Sequence, residues 1–301
     1  MIKDTVLVTG ASGFIGQQLV KFLLEQDYQV IALSRKKQVA NHPSLQWVQQ
    51  LSEIRNPKID YVVNLAGESI GQGRWTDARK QTLIQSRVQT TEEIYQYLKK
   101  QNIQPKRIIS GSAVGYYGID AAEQWTAVCD EQSAPQNIFM SELCQRWEQA
   151  ALRDTAQKTK IIRLGVVFGK GGGILPQMLL PIKLNLAGKI GSGKQPMCWV
   201  HMQDVIQAIH FLFKDDSTTQ IYNVVAPERS SQKAFVSTAS LLLKRKPWFS
   251  MPAWCMRLLM GEQAQLVLNG QYVKPVALEQ AGFKFQYPVL KSALKQILSM
   301  D

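Results

Sequence analysis

Gly10, Gly13 and Gly16 stand three residues apart in Leu7-Val-Thr-Gly-Ala-Ser-Gly-Phe-Ile-Gly16, directly after a short apolar run. Glycines so placed let backbone N–H groups approach an anion that side chains would exclude. Gly10 would turn the chain, Gly13 would leave room for a pyrophosphate, and Gly16 would let a helix pack closely with its free N–H groups toward the phosphates. Gly10, Ser12, Gly13, Phe14, Ile15 and Gly16 are therefore the expected phosphate-binding residues. About 20 residues on, an NAD-binding unit places an Asp or Glu for the ribose 2′-hydroxyl. Here the chain reads Ser34-Arg35-Lys36-Lys37, with no carboxylate. A guanidinium fork and a hydroxyl suit a 2′-phosphate, so Ser34 and Arg35 point to NADP(H) rather than NAD(H).

The spacing departs from the dinucleotide fingerprint, which starts Gly-x-Gly, so the surrounding elements carry the reading. An apolar strand over 5–8 leads into the turn. Phe14, Ile15, Leu19, Val20, Leu23 and Leu24 have helical spacing, and a second strand over 29–33 completes a βαβ unit. Further on, 46–48 reads as a short strand and 61–67 as a buried strand ending in the small-residue turn at Gly67. A helix over 75–100, a strand over 107–111, a helix over 139–153 and a strand over 160–167 follow. Strands alternating with helices predict a parallel sheet, with ligands beyond the strand ends.

From Gly169 the texture changes, with Gly171-Gly172-Gly173, Pro176, Pro181 and a loop over 188–196. The expected fold is α/β, a Rossmann-type doubly wound parallel sheet with a smaller, interwoven C-terminal substrate lobe. Residues 1–168 would form the dinucleotide-binding domain and 169–301 mostly the lobe. A helix over 202–214 and a strand over 220–225 place 200–226 back in the first domain.

With 301 residues and 45% hydrophobic content, the chain can bury a large core. Its four cysteines form no Cys-x-x-Cys pair, and no charged-then-apolar leader precedes the first strand, so a reducing cytoplasm is the expected location. No apolar stretch is long enough to span a bilayer, and no membrane partner is expected. The net charge of +12 is uneven. Residues 1–150 carry 16 Lys or Arg against 15 Asp or Glu, and residues 151–301 carry 19 against 8. Apart from Lys244-Arg245-Lys246 the cations are scattered and not interleaved with aromatics, which favours a small anionic substrate over nucleic acid. Assembly into a homo-oligomer is left open.

Thr9 to Gly16, Asn64 to Gly67, Ser110-Gly-Ser-Ala-Val-Gly-Tyr-Tyr-Gly118 and Arg163-Leu-Gly-Val-Val-Phe-Gly169, in this order, make the chain resemble the extended short-chain dehydrogenase/reductases. Asn64-Leu-Ala-Gly-Glu68, Gly73-Arg-Trp-Thr76, Gly191-Ser-Gly193 with Trp199-Val-His201, and Ala281-Gly-Phe-Lys-Phe-Gln-Tyr-Pro288 are similar to its poorly characterised epimerase-family branch, which carries its own C-terminal domain, here about 247–298. The resemblance implies an NADP(H)-binding domain and a lobe like those that hold nucleotide sugars. Leu65, Ala66 and Gly67 would border the adenosine side. Arg87, where many relatives have Asn, would reach a cofactor phosphate or the active site, or else be a surface helix charge.

Relatives in this superfamily use a Tyr as acid/base, a Lys four residues later, and a Ser or Thr on the preceding strand to polarise the substrate oxygen. Ser112 fits the last role. The helix that should supply the others reads Phe139-Met-Ser-Glu-Leu-Cys-Gln-Arg-Trp-Glu148, which sets Met140 at the tyrosine position and Cys144 at the lysine position. Tyr116, Tyr117 and an inward-facing Glu142 are the replacement acid/base candidates, and Arg74 with Trp75 could close over substrate. Tyr95 and Lys99 have the i, i+4 spacing but lie on the wrong helix. Gly188-Lys-Ile-Gly-Ser-Gly-Lys194 resembles a phosphate loop, but Gln195 replaces its Ser or Thr and no apolar strand leads into it. No metal site is expected, and His201 and Asp204 are read as helix caps. The leading expectation is an epimerase-family oxidoreductase moving a hydride to and from a carbonyl or alcohol carbon. The alternative is a regulator that senses NADPH and performs no reaction.

Overall fold

In the computed structural model, residues 3–299 other than 56 and 121 are described. Seven strands form one parallel sheet: β1 (Thr5–Thr9), β2 (Gln29–Leu33), β3 (Leu45–Val48), β4 (Tyr61–Asn64), β5 (Arg107–Ala113), β6 (Thr159–Leu164) and β7 (Ile221–Val224). Their order is β7-β6-β5-β4-β1-β2-β3, with every pair parallel. The chain runs outward from β1 to β3 and then crosses back to place β4 on the other side of β1. The connections therefore diverge beyond Thr9 and Asn64, which are register partners, and a crevice opens there.

Alternate strand residues feed two cores, as a sheet covered on both faces requires. Val6, Val8, Val30 and Val63 pack with Leu19 and Leu23 of α1 (Phe14–Glu25) on one face. Leu7, Ile31, Val62 and Ile108 pack with Ile94 and Leu98 of α2 (Asp77–Lys100) on the other. The helix α3 (Phe139–Leu152) lies beside α2, its Met140 and Leu143 buried with Leu83 and Ile84. Thus the doubly wound α/β architecture expected from the strand–helix alternation is the one observed.

The strand expected over 160–167 breaks at Gly165. β6 stops at Leu164, and Val166–Phe168 pairs instead with Trp199–His201. Gly165 still donates its N–H to Val224 O (3.1 Å), but Val166 donates to Cys198 O (2.8 Å), so the chain changes partners across one glycine. A Cβ there would lie 2.9 Å from the Cys198 carbonyl oxygen.

Beyond this point α4 (Leu175–Lys183), α5 (Met202–Phe213), α6 (Gln232–Leu243) and α7 (Ala253–Met260) follow in order. α5 belongs to the sheet, burying Val205 and Ile209 with α1. The lobe has its own core, in which Phe168, Leu179, Trp199 and Phe235 meet Leu290, Leu294 and Ile297 of the last helix, Leu290–Leu298. Within the triglycine at 171–173, Gly172 and Gly173 make room for Phe14. A Cβ on Gly172 or Gly173 would come within 2.6 and 2.8 Å of that ring, so the first turn of α1 is wedged against the start of the lobe.

Candidate functional site

The floor of the crevice is a set of close backbone approaches. Gly10 has φ +66, and a Cβ on it would lie 2.6 Å from Leu65 O, so glycine is required both for the turn and for the loop leaving β4. A Cβ on Gly16 would meet Gly10 O at 2.2 Å, which seats α1 directly on the turn. Thr9 Oγ1 donates to Asn64 Oδ1 (2.6 Å), and Asn64 Nδ2 donates to Thr91 Oγ1 (2.8 Å), locking the ends of β1 and β4 to α2. At its N-terminus α1 is capped by the backbone of exposed Gly13, with no side chain on its first amides and no acidic residue in its first turn. Uncapped N–H groups and the positive end of the helix dipole fit an anion at the mouth of the crevice.

At the end of β2, Ser34 is buried and its hydroxyl contacts Ser12 Oγ (3.1 Å), tying this strand end to the glycine turn. Arg35 is 84% exposed on its side chain and pairs with Glu68 Oε1 (2.5 Å), while Arg79 approaches Oε2 of the same carboxylate at 3.7 Å. The absence of a nearby carboxylate, expected from the sequence around Arg35, does not hold in three dimensions. Glu68 arrives from the loop after β4, 33 residues away. The Arg35 guanidinium holds the Glu68 carboxyl below its ordinary pKa.

Arg87 does not point at open crevice. It is buried beneath the Gly67 turn, donating Nη1 to Leu83 O (3.0 Å) and Nη2 to Glu68 O (3.0 Å), with Trp147 5.1 Å from its guanidinium. Its donors hold backbone, and burial lowers its pKa.

Where relatives would have a proton relay, this chain has packing. Met140 lies against the 3₁₀ turn Val114–Tyr117, so that a Cβ on Gly115 would be 2.8 Å from its Cε. Cys144 is buried, contacts Ala113 O through Sγ (3.6 Å), and has a thiol pKa pushed up to about 11 by burial and then by the Glu148 charge.

Beside them runs a buried polar network that the sequence reading missed. Arg163 on β6 makes a two-pronged pair with Glu148 of α3, Nε to Oε1 and Nη2 to Oε2, each 2.8 Å. Ser112 donates to Glu148 Oε1 (2.6 Å), and Arg163 Nη1 donates to Tyr117 Oη (2.8 Å), which in turn donates to Asn223 Oδ1 (2.7 Å). Burial opposes the Arg163 charge, but its bonds to Glu148 outweigh this and raise its pKa.

Ser112 and the three acid/base candidates are thus placed very differently. The single hydroxyl proton of Ser112 faces a carboxylate that can only accept, so in this arrangement it does not polarise a substrate oxygen. Tyr117 is buried with its pKa raised by burial, the opposite of what a general base needs at neutral pH. Glu142 faces solvent rather than inward, paired with Arg146 one turn on (2.6 Å), because the buried stripe of α3 runs through Met140, Leu143, Cys144 and Trp147. Tyr116 is half-buried with the Arg163 guanidinium 3.4 Å from its ring centre. A lone Arg in the apolar strand Lys160-Ile-Ile-Arg-Leu was the available signal for the network, since such a charge needs a buried partner.

Other motifs resolve as structure. The Tyr95 hydroxyl meets Thr159 Oγ1 (2.7 Å) at the opposite end of the sheet from the crevice. His201 caps α5, its Nδ1 accepting from Gln203 N (3.2 Å). Asp204 does not cap its own helix; its carboxylate accepts the N–H groups of Gln286 (2.6 Å) and Tyr287 (3.0 Å) near the C-terminus.

Residues 6–225 match the NAD dependent epimerase/dehydratase family, and residues 251–297 match a domain of unknown function, DUF1731. An epimerase family protein of Staphylococcus saprophyticus is 34% identical over 297 residues, covering 97% of this chain and 98% of that one. Among solved structures, the human epimerase family protein SDR39U1 (isoform 2), crystallised with NADPH, superposes with a TM-score of 0.89 at 32% identity, over 98% of this chain and 99% of that one. A nucleoside-diphosphate sugar epimerase from Corynebacterium glutamicum matches with a TM-score of 0.78 at 25% identity, covering 100% of this chain and 59% of that one. Glycine turn, switch-point crevice and C-terminal unit together agree with these matches over nearly the whole length, and the chain belongs to the NAD-dependent epimerase/dehydratase family.

Proposed function

We propose that this protein binds NADP(H) in the crevice and transfers a hydride to or from a carbonyl or alcohol carbon of a small anionic substrate of the nucleotide-sugar type. The backbone of Gly10, Ser12, Gly13, Phe14, Ile15 and Gly16 would hold the pyrophosphate at the start of α1. Leu65, Ala66 and Gly67 would border the adenosine, and Ser34 and Arg35 would take the 2′-phosphate. The dinucleotide, when bound, supplies the hydride, and the chain supplies orientation. The observation that carries this reading is the uncapped first turn of α1, open beside an exposed guanidinium. The NADPH in the human relative supports the choice of cofactor.

Glu68 does not defeat that choice. An exposed ion pair is worth about 0–1 kcal/mol, so giving up Arg35–Glu68 costs little when a 2′-phosphate engages the guanidinium. Arg35→Asp should weaken NADPH binding about 10- to 100-fold and leave NADH nearly unchanged, as read by titration of each cofactor. Equal loss for both, or none for either, would remove the 2′-phosphate from Arg35.

On the substrate side, Tyr116 is the residue this reading assigns to proton exchange. Tyr116→Phe should abolish turnover of NADPH with responsive nucleotide sugars while binding is retained. A second reading, an NADPH-responsive protein without turnover, draws on the Ser112–Glu148 bond and on Met140 and Cys144 packed where a relay would stand. Tight NADPH binding with no hydride transfer across such a panel, and partners captured only with one cofactor oxidation state, would favour it.

A further inference from the structure

Two segments of the lobe, residues 171–200 and 229–261, together hold nine Lys or Arg and no Asp or Glu. Eleven of the fourteen exposed large apolar side chains among the described residues fall between 174 and 266. They are clustered rather than scattered. The strands Ala187–Ile190 and Phe249–Met251 pair in parallel with Phe249 opposite Ala187, which sets Trp248 beside Leu186. The Trp248 and Phe249 rings touch at 6.1 Å, and Lys246 N donates to Asn185 Oδ1 (2.9 Å), which brings Lys244-Arg245-Lys246 alongside Leu186.

From the other end of this ribbon comes α7, Ala-Trp-Cys-Met-Arg-Leu-Leu-Met, and none of its residues is buried. Trp254 and Leu258 are 65% and 71% exposed. The helix is nonetheless held in place, since Arg74 Nη2 reaches Leu258 O and Leu259 O (3.4 and 3.5 Å) and Lys80 pairs with Glu262 (2.6 Å).

An apolar face of this extent marks an interface, and its setting selects the partner. Aromatic and leucine side chains set among an excess of cations, with Glu262 at the edge held by Lys80, have the composition of a surface that lies at a bilayer interface and meets anionic headgroups. A second copy seated on the same face by a two-fold axis would oppose one set of cations to the other. A nucleotide sugar would satisfy cations but leave Trp248 and Trp254 in water.

We propose that this face docks on the anionic surface of a phospholipid bilayer. Trp248, Phe249, Trp254 and Leu258 enter the headgroup boundary, and Lys244, Arg245, Lys246 and Arg257 meet the lipid phosphates. No spanning stretch is involved, in keeping with the lack of any helix long and apolar enough to cross a membrane among the described residues.

Vesicles of phosphatidylglycerol mixed with phosphatidylcholine, against phosphatidylcholine alone, are the test. The intact protein should cosediment with the anionic vesicles and show a blue shift of tryptophan emission. Binding should fall at least about tenfold between about 0.1 M and about 1 M salt. A Trp254→Ser/Leu258→Ser variant should lose binding by a similar factor while its melting temperature and NADPH response stay those of the parent. Failure to bind anionic vesicles, or equal binding to neutral ones, overturns the proposal. So does a dimer in solution that the same variant splits, which would give the face to a second copy.

Discussion

Glu148 and Arg163 carry more of the site's architecture than any residue chosen for its chemistry. Both are buried, and between them they satisfy Ser112 and Tyr117 as well as each other. Removing one charge of such a pair strands the other, at about 3–5 kcal/mol, whereas replacing both by apolar groups of similar size is often nearly neutral. Glu148→Gln should therefore lower the unfolding free energy by about 3–5 kcal/mol, and Glu148→Leu/Arg163→Met should recover most of it. Denaturant melts of the two variants decide the matter, and a double variant as weak as the single one would mean that the pair itself supplies stability. The network was only half legible in the sequence. A lone Arg in an apolar strand asks for a partner, but nothing along the chain says that it is Glu148 rather than Glu142, which is six residues nearer the start of the same helix and lies in solvent.

At the scale of elements, the turn between β1 and α1 was legible because its requirement is local. The glycines must be where a side chain would strike neighbouring backbone, and a Cβ on Gly16 would lie 2.2 Å from Gly10 O. That obstacle is main chain and cannot rotate away. Gly16→Ala should push α1 off the turn, lowering the melting temperature and removing the stabilisation that NADPH gives the parent, which thermal unfolding with and without cofactor would show. Retained stabilisation would mean that the α1 amides are not the anion site. The break at Gly165 was not legible, because an apolar strand pattern continues through it to Phe168. Only the arrival of Trp199–His201 as a competing partner ends β6 there.

Across the whole molecule, the C-terminal helix closes the lobe, although it lies about 115 residues from the triglycine where that lobe begins. Leu290, Leu294 and Ile297 pack on Phe168, Trp199 and Phe235, and Asp204 pins the approach to this helix through two backbone N–H groups. Leu294, fully buried, should cost about 2–5 kcal/mol when truncated to Ala. If the lobe is a separate cooperative unit, that loss appears as an earlier transition in near-ultraviolet circular dichroism while the NADPH-dependent transition stays put. A single transition shifted as a whole would show that the Phe14 wedge joins lobe and sheet into one unit.

By itself, the order of residues determined the sheet, the glycine turn and the family, since each rests on patterns a few residues long repeated in sequence. It also located the loss of the Tyr and Lys from α3, which is a matter of identity at fixed positions. Tertiary structure alone decided that Glu68 faces Arg35, that Arg87 supports a loop, that Ser112 is held by Glu148, and that α7 is left bare. Those outcomes depend on which side chains meet across separate strand ends and helix faces, and a charge or apolar group carries no mark of its partner until folding brings the two within bonding distance.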